Sequence, residues 1–370
     1  MKSDGASPCS AIVVLHVLPS LTVGGIETMM TRFMGQCPSE IDYRLLVLST
    51  ENATKIFLPE AIRSRIQYFG INLSPITYLR AACKLVEHKD EIIVSSTWKA
   101  ALVVWLAKRF CTVARHIAFT HRSSPAHHID RILRTWQVRH SFLNLADSQS
   151  SAQWVRRAAG RSDVTVIDPV FPPPIQSSPK AQGLTICFIG RLAPVKNLET
   201  VFKLIEGLAA QGLSISFDIY GPDAGSKYLV DEWITKNHRD RFNLNLSLAY
   251  LGPLAPQQVH QTAARYHFIV SCSHTEGFAM SIAEAMQVGT VPIVGKIGGP
   301  STYCRPDNSI VLDDYTEASI ESAVIKVREI WRQPSRYCAM SESARQTFTA
   351  DQFFPSRYAA FVGQASTMTV

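Results

Sequence analysis

Apolar residues along the chain gather in short β-branched runs, separated by longer and more polar stretches compatible with helices. The runs fall at residues 11–17, 44–50, 92–96, 116–120, 143–146 and 164–167, then at 184–189, 214–220, 245–251, 267–271, 291–294 and 309–312. Continuous apolar runs with helical segments between them predict parallel strands covered on both faces. The chain therefore reads as α/β and doubly wound, with the pattern occurring twice.

The two sets of strands are separated by Asp168-Pro-Val-Phe-Pro-Pro-Pro-Ile-Gln-Ser-Ser-Pro179, in which five of twelve residues are proline. Such a segment continues neither a helix nor a central strand, so it reads as a linker. The expected organisation is a first domain over 1–170, a linker over 171–183, a second domain over 184–340 and a helical C-terminal segment over 341–370 that crosses back. Ligands of doubly wound sheets bind outside the carboxyl ends of the strands, which points to a cleft shared by the two domains. No repeat at a solenoid period is present.

Composition narrows the classes. Charged residues are 18% and hydrophobic residues 46% of the 370, which argues against bulk disorder. The eight cysteines are at least 28 residues apart, so no zinc-ligand spacing occurs and they read as small buried residues of a reducing compartment. The longest apolar run, 100–107, has 8 residues, far short of the ~18 that span a bilayer. Residues 11–18 follow Asp4 and contain His16, which suits a first strand of a cytoplasmic protein better than a signal peptide.

Charge is uneven. Residues 1–180 hold 21 Lys and Arg against 13 Asp and Glu, and residues 99–161 hold 11 against only Asp130 and Asp147. A solvated basic face is the bland explanation. An anionic membrane surface is the sharper one, because Trp98, Trp105, Phe110 and Trp136 lie among these cations. Nucleic acid is disfavoured, since no binding motif accompanies the charge.

Candidate chemistry lies in the second half. Thr275-Glu-Gly-Phe-Ala-Met-Ser-Ile-Ala-Glu-Ala-Met286 follows a strand and opens into a helix. Locally, Ser281 and Glu284 have the spacing of a capping box, but that leaves Glu276 unexplained. The run 289–299 adds a strand ending in a glycine-rich loop, and such loops, with helix N-termini, let backbone amides approach phosphate. Upstream, Phe188-Ile-Gly-Arg-Leu-Ala-Pro-Val-Lys-Asn197 places Arg191 and Lys196 just after another strand. Arg forks onto phosphate oxygens and Lys adds a compact charge.

Glu276 and Glu284 with seven residues between them, the G-R-L-x-x-x-K of residues 190–196, and Gly298-Gly299 resemble family 4 glycosyltransferases of the GT-B fold, the group 1 type. The resemblance covers about 185–312, where Tyr220-Gly221-Pro222, Gly252, Ser271-Cys-Ser273, Gly289 and Pro292 also fall in the family's order. It is weaker in the first domain, resting on Gly24-Gly25-Ile26-Glu27 and His121.

The resemblance implies two Rossmann-like domains facing a central cleft, and a retaining transferase using a nucleotide-diphosphate sugar. It implies that Glu276 and His121 lie at the transferred sugar. Donor binding would fall to Gly24, Gly25, Gly190, Arg191, Lys196, Phe278, Ala279, Met280, Ser281 and Glu284. The implied acceptor is a glycan or a lipid-linked molecule, in cell-envelope, lipopolysaccharide or exopolysaccharide biosynthesis at the inner face of the membrane. The chain has no two aspartates spaced by one residue, so cations and helix dipoles are expected to stabilise the leaving diphosphate without a metal or other cofactor. Two departures stand out: no acid follows Gly298-Gly299 closely, and Asn197 stands where many members have Gly. The alternatives are an epimerase or inactive transferase of the same fold, and, from another class, a basic nucleic-acid-binding protein.

Overall fold

The computed structural model describes residues 11–21, 25–51, 58–173, 180–239 and 245–369. Its contacts divide the chain into two units, Met1–Pro169 with Phe353–Val370, and Val170–Gln352.

In the first unit seven strands form one parallel sheet: β1 (Ile12–Ser20), β2 (Ile41–Ser49), β3 (Ile66–Tyr68), β4 (Ile92–Ser95), β5 (His116–Thr120), β6 (Leu143–Ala146) and β7 (Val164–Val166). Their order is β3-β2-β1-β4-β5-β6-β7. Every residue of β4 and β5 is buried, which is why these strands appear in the sequence as unbroken apolar runs rather than alternations. Among the described residues, β3 is the one strand that the apolar pattern does not reveal. It is a three-residue edge strand paired only with β2, too short to stand out against Arg65 and Gln67.

The second unit carries β8 (Leu184–Ile189), β9 (Ile215–Tyr220), β10 (Leu246–Gly252), β11 (Phe268–Ser271), β12 (Val291–Gly295) and β13 (Ile310–Leu312), ordered β10-β9-β8-β11-β12-β13 and again all parallel. Its core gathers Phe188, Phe217 and Phe268 from the strands, with Trp233 stacked on Phe202 at 4.2 Å between two helices.

Both sheets share a feature that locates ligands. The chain builds outward on one side of the first strand, then crosses to the other side, so the order reverses between β1 and β4 and between β8 and β11. Loops leaving the carboxyl ends of such neighbours diverge and open a crevice.

Helices begin where the sequence supplies caps. Thr97 accepts from the Ala100 amide to start Trp98–Ala107, and Ser148 accepts from Ser151 to start Gln149–Ala159, which ends at Gly160 in the left-handed region. The apolar run 100–107 thus lies in a ten-residue helix, and among the described residues no helix is long and apolar enough to cross a membrane.

At the C-terminus, residues 341–362 are not one helix. Residues 341–345 finish Pro334–Arg345 in the second unit, and a new helix, Phe354–Thr367, starts with Pro355 in its first turn. Phe354, Tyr358, Phe361, Val362 and Ala365 form its buried stripe, with Tyr358 edge-on to Phe33 at 4.9 Å within the first unit. At the other junction Val170 and Phe171 are buried, and the Phe171 carbonyl accepts from Gln287 Nε2 at 2.9 Å, so the start of the proline-rich segment packs on the second unit. Of the described cysteines, only Cys187, Cys272 and Cys304 are buried; Cys83 and Cys338 are exposed, contrary to a uniformly buried set.

Candidate functional site

In the second unit the reversal lies between β8 and β11, and the residues singled out in the sequence follow those two strands. β8 delivers Gly190 and Arg191. Gly190 donates its amide to the Tyr220 carbonyl at 2.9 Å, and Gly221 closes on it so tightly, at φ +151°, that a Cβ would sit 1.8 Å from the Gly190 oxygen. Only glycine fits there. The chain then makes a 3-10 turn at Pro194–Lys196 and reverses through Asn197, at φ 50° and ψ 55°. That is the left-handed region, which Gly enters freely and Asn tolerates better than other residues. Asn in place of the family's Gly therefore keeps the turn.

β11 leads to Ser273 and Glu276. Lys196 Nζ lies 2.5 Å from Glu276 Oε2, with each side chain 17% exposed, and Ser273 Oγ donates to the same oxygen at 3.0 Å. Two further contacts fix this arrangement. The His274 amide donates to the Val195 carbonyl at 2.8 Å, and Tyr315 Oη donates to the Ser273 carbonyl at 2.7 Å. Arg191 is exposed, and among the described residues its guanidinium has no partner.

Helix Met280–Gln287 begins without a side-chain cap. The capping box suggested by Ser281 and Glu284 is not formed, because Ala279 holds the N-cap position and Ser281 lies inside the helix, where its Oγ donates to the Ile189 carbonyl at 2.9 Å and ties the helix start to the end of β8. Ala279, the residue before the helix, sits at φ 63° and ψ 65°, a conformation costing an L-residue about 1–2 kcal/mol. Tyr303 holds it there by donating to the Phe278 carbonyl at 2.6 Å, and Phe278 is buried against Tyr303 and Phe348. Among the described residues the backbone amides of Met280 and Ser281 have no acceptor, and both belong to the first turn, where the helix dipole is positive. Glu284 is buried in the same helix.

The glycine-rich loop does something other than expected. Gly298, at φ 65°, approaches the Glu276 carbonyl so closely that a Cβ would lie 2.1 Å away, and the Gly299 amide donates to the Gly277 carbonyl at 2.6 Å. These glycines brace the backbone that carries Glu276, and the Gly299 amide is spent on protein.

The remaining sequence candidates belong to the first unit. Gly24 lies outside the described residues; Gly25 opens helix Gly25–Gly35 and is exposed. His121 follows β5, its side chain 5% exposed, with Phe119 against it at 4.0 Å between ring centroids. Its Nδ1 faces Asp147 Oδ2 at 3.4 Å and its Nε2 lies 2.9 Å from Ser96 Oγ. Ser96 and Asp147 escaped sequence reasoning. Asp147 was visible only as one of two acids in a basic stretch, and Ser96 as the last residue of a strand. Burial holds the neighbouring His16 well below the usual histidine range, with His121 adding to the effect.

Basic residues of the first unit use their aromatic neighbours. Arg109 lies over Trp105 at 4.7 Å and Lys99 over Trp98 at 5.6 Å, while Phe110, Ile129 and Ile132 are exposed. Arg134 turns inward onto Trp154 at 4.0 Å, its pKa lowered to about 10, chiefly by burial. Among the described residues no three His, Cys, Asp or Glu side chains are grouped to hold a metal ion.

Two parallel Rossmann-like sheets with this strand order, each reversing beside its first strand, define the GT-B class of fold. Anabaena HepE, solved in complex with UDP and glucose, superposes with a TM-score of 0.77 at 19% identity, covering 96% of this chain and 99% of that one. Residues 175–347 match the family described as glycosyl transferases group 1. Among curated proteins it is similar to a subunit of human phosphatidylinositol N-acetylglucosaminyltransferase, 27% identical over 177 residues, covering 47% of this chain and 34% of the relative. It is also similar to glycogen synthase 1 of Nitrosococcus oceani, 27% identical over 160 residues, covering 40% of this chain and 32% of the relative. The match thus spans about a third of the length of these curated relatives.

Proposed function

We propose that the chain is a retaining glycosyltransferase that moves a sugar from a nucleotide-diphosphate sugar to a glycan or lipid-linked acceptor without a metal. The observation that carries this reading is the convergence, after β8 and β11, of Arg191, the Lys196–Glu276 pair and the free first-turn amides of helix Met280–Gln287. Two cations and a helix N-terminus stabilise a leaving diphosphate as charge builds on it. Glu276, on the same loop system, accepts sugar hydroxyls, and Glu284 accepts those of the ribose. The glutamates do not work as a glycosidase acid and base, since one of them is committed to a cation. Retention follows from acceptor attack on the face the diphosphate leaves.

UDP is the nucleotide to try first, because HepE was solved with UDP and glucose. Envelope biosynthesis is the setting this reading favours, and the human relative, whose named acceptor is phosphatidylinositol, supports the lipid part of it. Docking at the inner face of an anionic membrane is supported by Ile129 and Ile132, exposed at 57% and 66% on helix His128–Arg139, whose same segment carries Arg131 and Arg139.

The test is to incubate the full chain in EDTA with UDP-, GDP-, ADP- and dTDP-sugars and a bacterial lipid extract. Release of nucleoside diphosphate is followed by phosphorus NMR, and the anomeric coupling of the product is read. One donor consumed, with its configuration kept, is expected. Consumption only after divalent metal is added, or inversion, overturns the metal-free retaining assignment.

A further inference from the structure

The first unit contains a buried run of polar side chains that the proposed chemistry does not account for. Tyr358 Oη lies 3.3 Å from Tyr43 Oη, Tyr43 Oη 2.5 Å from His16 Nδ1, His16 Nε2 2.6 Å from Ser96 Oγ, and Ser96 Oγ 2.9 Å from His121 Nε2. His121 Nδ1 then faces Asp147 Oδ2 at 3.4 Å. Four hydrogen bonds and one polar contact thus join the C-terminal helix to Asp147, through side chains that are almost all fully buried.

Each hydroxyl in this run has one proton, and each neutral imidazole has one donor and one acceptor nitrogen, so the direction at one end fixes all the rest. Asp147 Oδ1 already accepts from Ser151 at 2.8 Å and Ser148 at 3.0 Å. A carboxylate held by donors repels a lone pair, so His121 must turn an N–H toward it. His121 Nε2 is then an acceptor and takes the Ser96 proton. Ser96 Oγ accepts in turn from His16 Nε2–H, His16 Nδ1 accepts from Tyr43, and Tyr43 accepts from Tyr358. The Met30 sulfur, 3.1 Å from Tyr43 Oη, is the weaker acceptor and is left as a packing contact. Burial of His16 acts against its charged form, which leaves that ring one donor and one acceptor nitrogen for the run.

We propose that Asp147 is a positioning residue that orders this whole run, holding His121 as the neutral Nδ1–H tautomer with Nε2 as a hydrogen-bond acceptor, and holding His16 as the opposite tautomer. The functional consequence rests on the transferase reading. His121 has no proton to give at Nε2, so it is not a general acid there. What it offers a substrate is an acceptor for a neutral sugar hydroxyl, which competes with the Ser96 hydroxyl for that nitrogen.

The test is long-range proton–nitrogen NMR on the full chain carrying nitrogen-15 histidine, with His16 and His121 assigned by single replacement. The expected spectrum shows His121 protonated at Nδ1 and His16 at Nε2. In Asp147→Asn, whose amide presents a donor as readily as an acceptor, both histidines should lose their single tautomer, although His16 is separated from residue 147 by His121 and Ser96. In Ser96→Ala, the His16 signals should no longer respond to Asp147→Asn. Two histidines with the same tautomer, or a His16 unmoved by Asp147→Asn while Ser96 is intact, overturn the proposal. The spectrum of the unaltered chain decides the tautomers even where a variant fails to fold. Activity adds a separate readout: Asp147→Asn should lower kcat/KM for transfer at least tenfold while nucleoside diphosphate affinity stays within twofold. If the unaltered chain transfers no sugar, the transferase reading fails and the NMR result still decides the ordering.

Discussion

Replacing Glu276 by Gln should push ligand binding and transfer in opposite directions. In the free chain the Lys196 ammonium is held by Glu276 at 2.5 Å, so a diphosphate arriving there must compete with a carboxylate already in place. A hydrogen bond to a charged group contributes about 1.5–3 kcal/mol, and the exposure of both side chains argues for the lower end. Glu276→Gln removes the competitor without changing shape, and Ser273 can still donate to the amide oxygen. If about 1 kcal/mol of the pair's energy becomes available to the ligand, UDP should bind roughly fivefold tighter. UDP carries no sugar and loses nothing by the change. The sugar hydroxyls do lose their carboxylate, so transfer should fall at least tenfold at saturating donor. Lys196→Met should behave differently, weakening UDP by roughly tenfold or more. Titration calorimetry with UDP, paired with initial rates of transfer, reads both quantities on the same preparations. UDP weakened equally by both replacements would show that the ion pair does not gate the phosphate site, and the reasoning would fail.

Other consequences are as specific. Gly298→Ala would place a Cβ 2.1 Å from the Glu276 carbonyl at a positive φ, so it should lower the unfolding midpoint by the equivalent of about 1–3 kcal/mol and reduce sugar transfer by displacing Glu276; an unchanged urea midpoint would refute the bracing role. Acidification should destabilise the first unit through His116, whose pKa burial lowers to about 3. An unfolded histidine takes up its proton near pH 6.5, so this stability is complete above that pH and declines as pH falls toward about 3, by about 2 kcal/mol at pH 5. His116→Gln should flatten the slope between pH 7 and pH 5 in urea titrations. Asp168, raised to about 6 mainly by burial, works the other way: its contribution is present at acid pH and lost as pH rises from about 4 to 6. Ile129→Asp with Ile132→Asp should reduce co-sedimentation with anionic vesicles and leave UDP binding unchanged, since both side chains are already solvent-exposed.

Most of the architecture was legible because parallel strands covered on both faces must be apolar at consecutive positions, as the fully buried β4 and β5 illustrate. The exceptions have physical causes. The edge strand β3 buries too little to leave a pattern, and a single helix over 341–362 looked continuous because the break between Arg345 and Phe354 is short and Pro355, just beyond it, favours a helix start. In the candidate site, Lys196 and Glu276 were legible as types at a family spacing, and the structure adds that they hold each other. Ser281 and Glu284 matched a local motif, but the Ile189 carbonyl, 92 residues away in sequence, captured the hydroxyl. Ser96 and Asp147 could not be read at all, because their importance comes from converging on His121 from separate strand ends.

The proposed transfer requires a donor site that works without a metal, built from Arg191, Lys196 and the start of helix Met280–Gln287. Its most direct test is titration calorimetry of UDP-glucose and UDP in EDTA against the unaltered chain, Arg191→Ala and Lys196→Met. Saturable binding by the unaltered chain, weakened at least tenfold by each replacement, is the predicted result. Binding that requires a divalent metal, or that is indifferent to both replacements, would contradict the account.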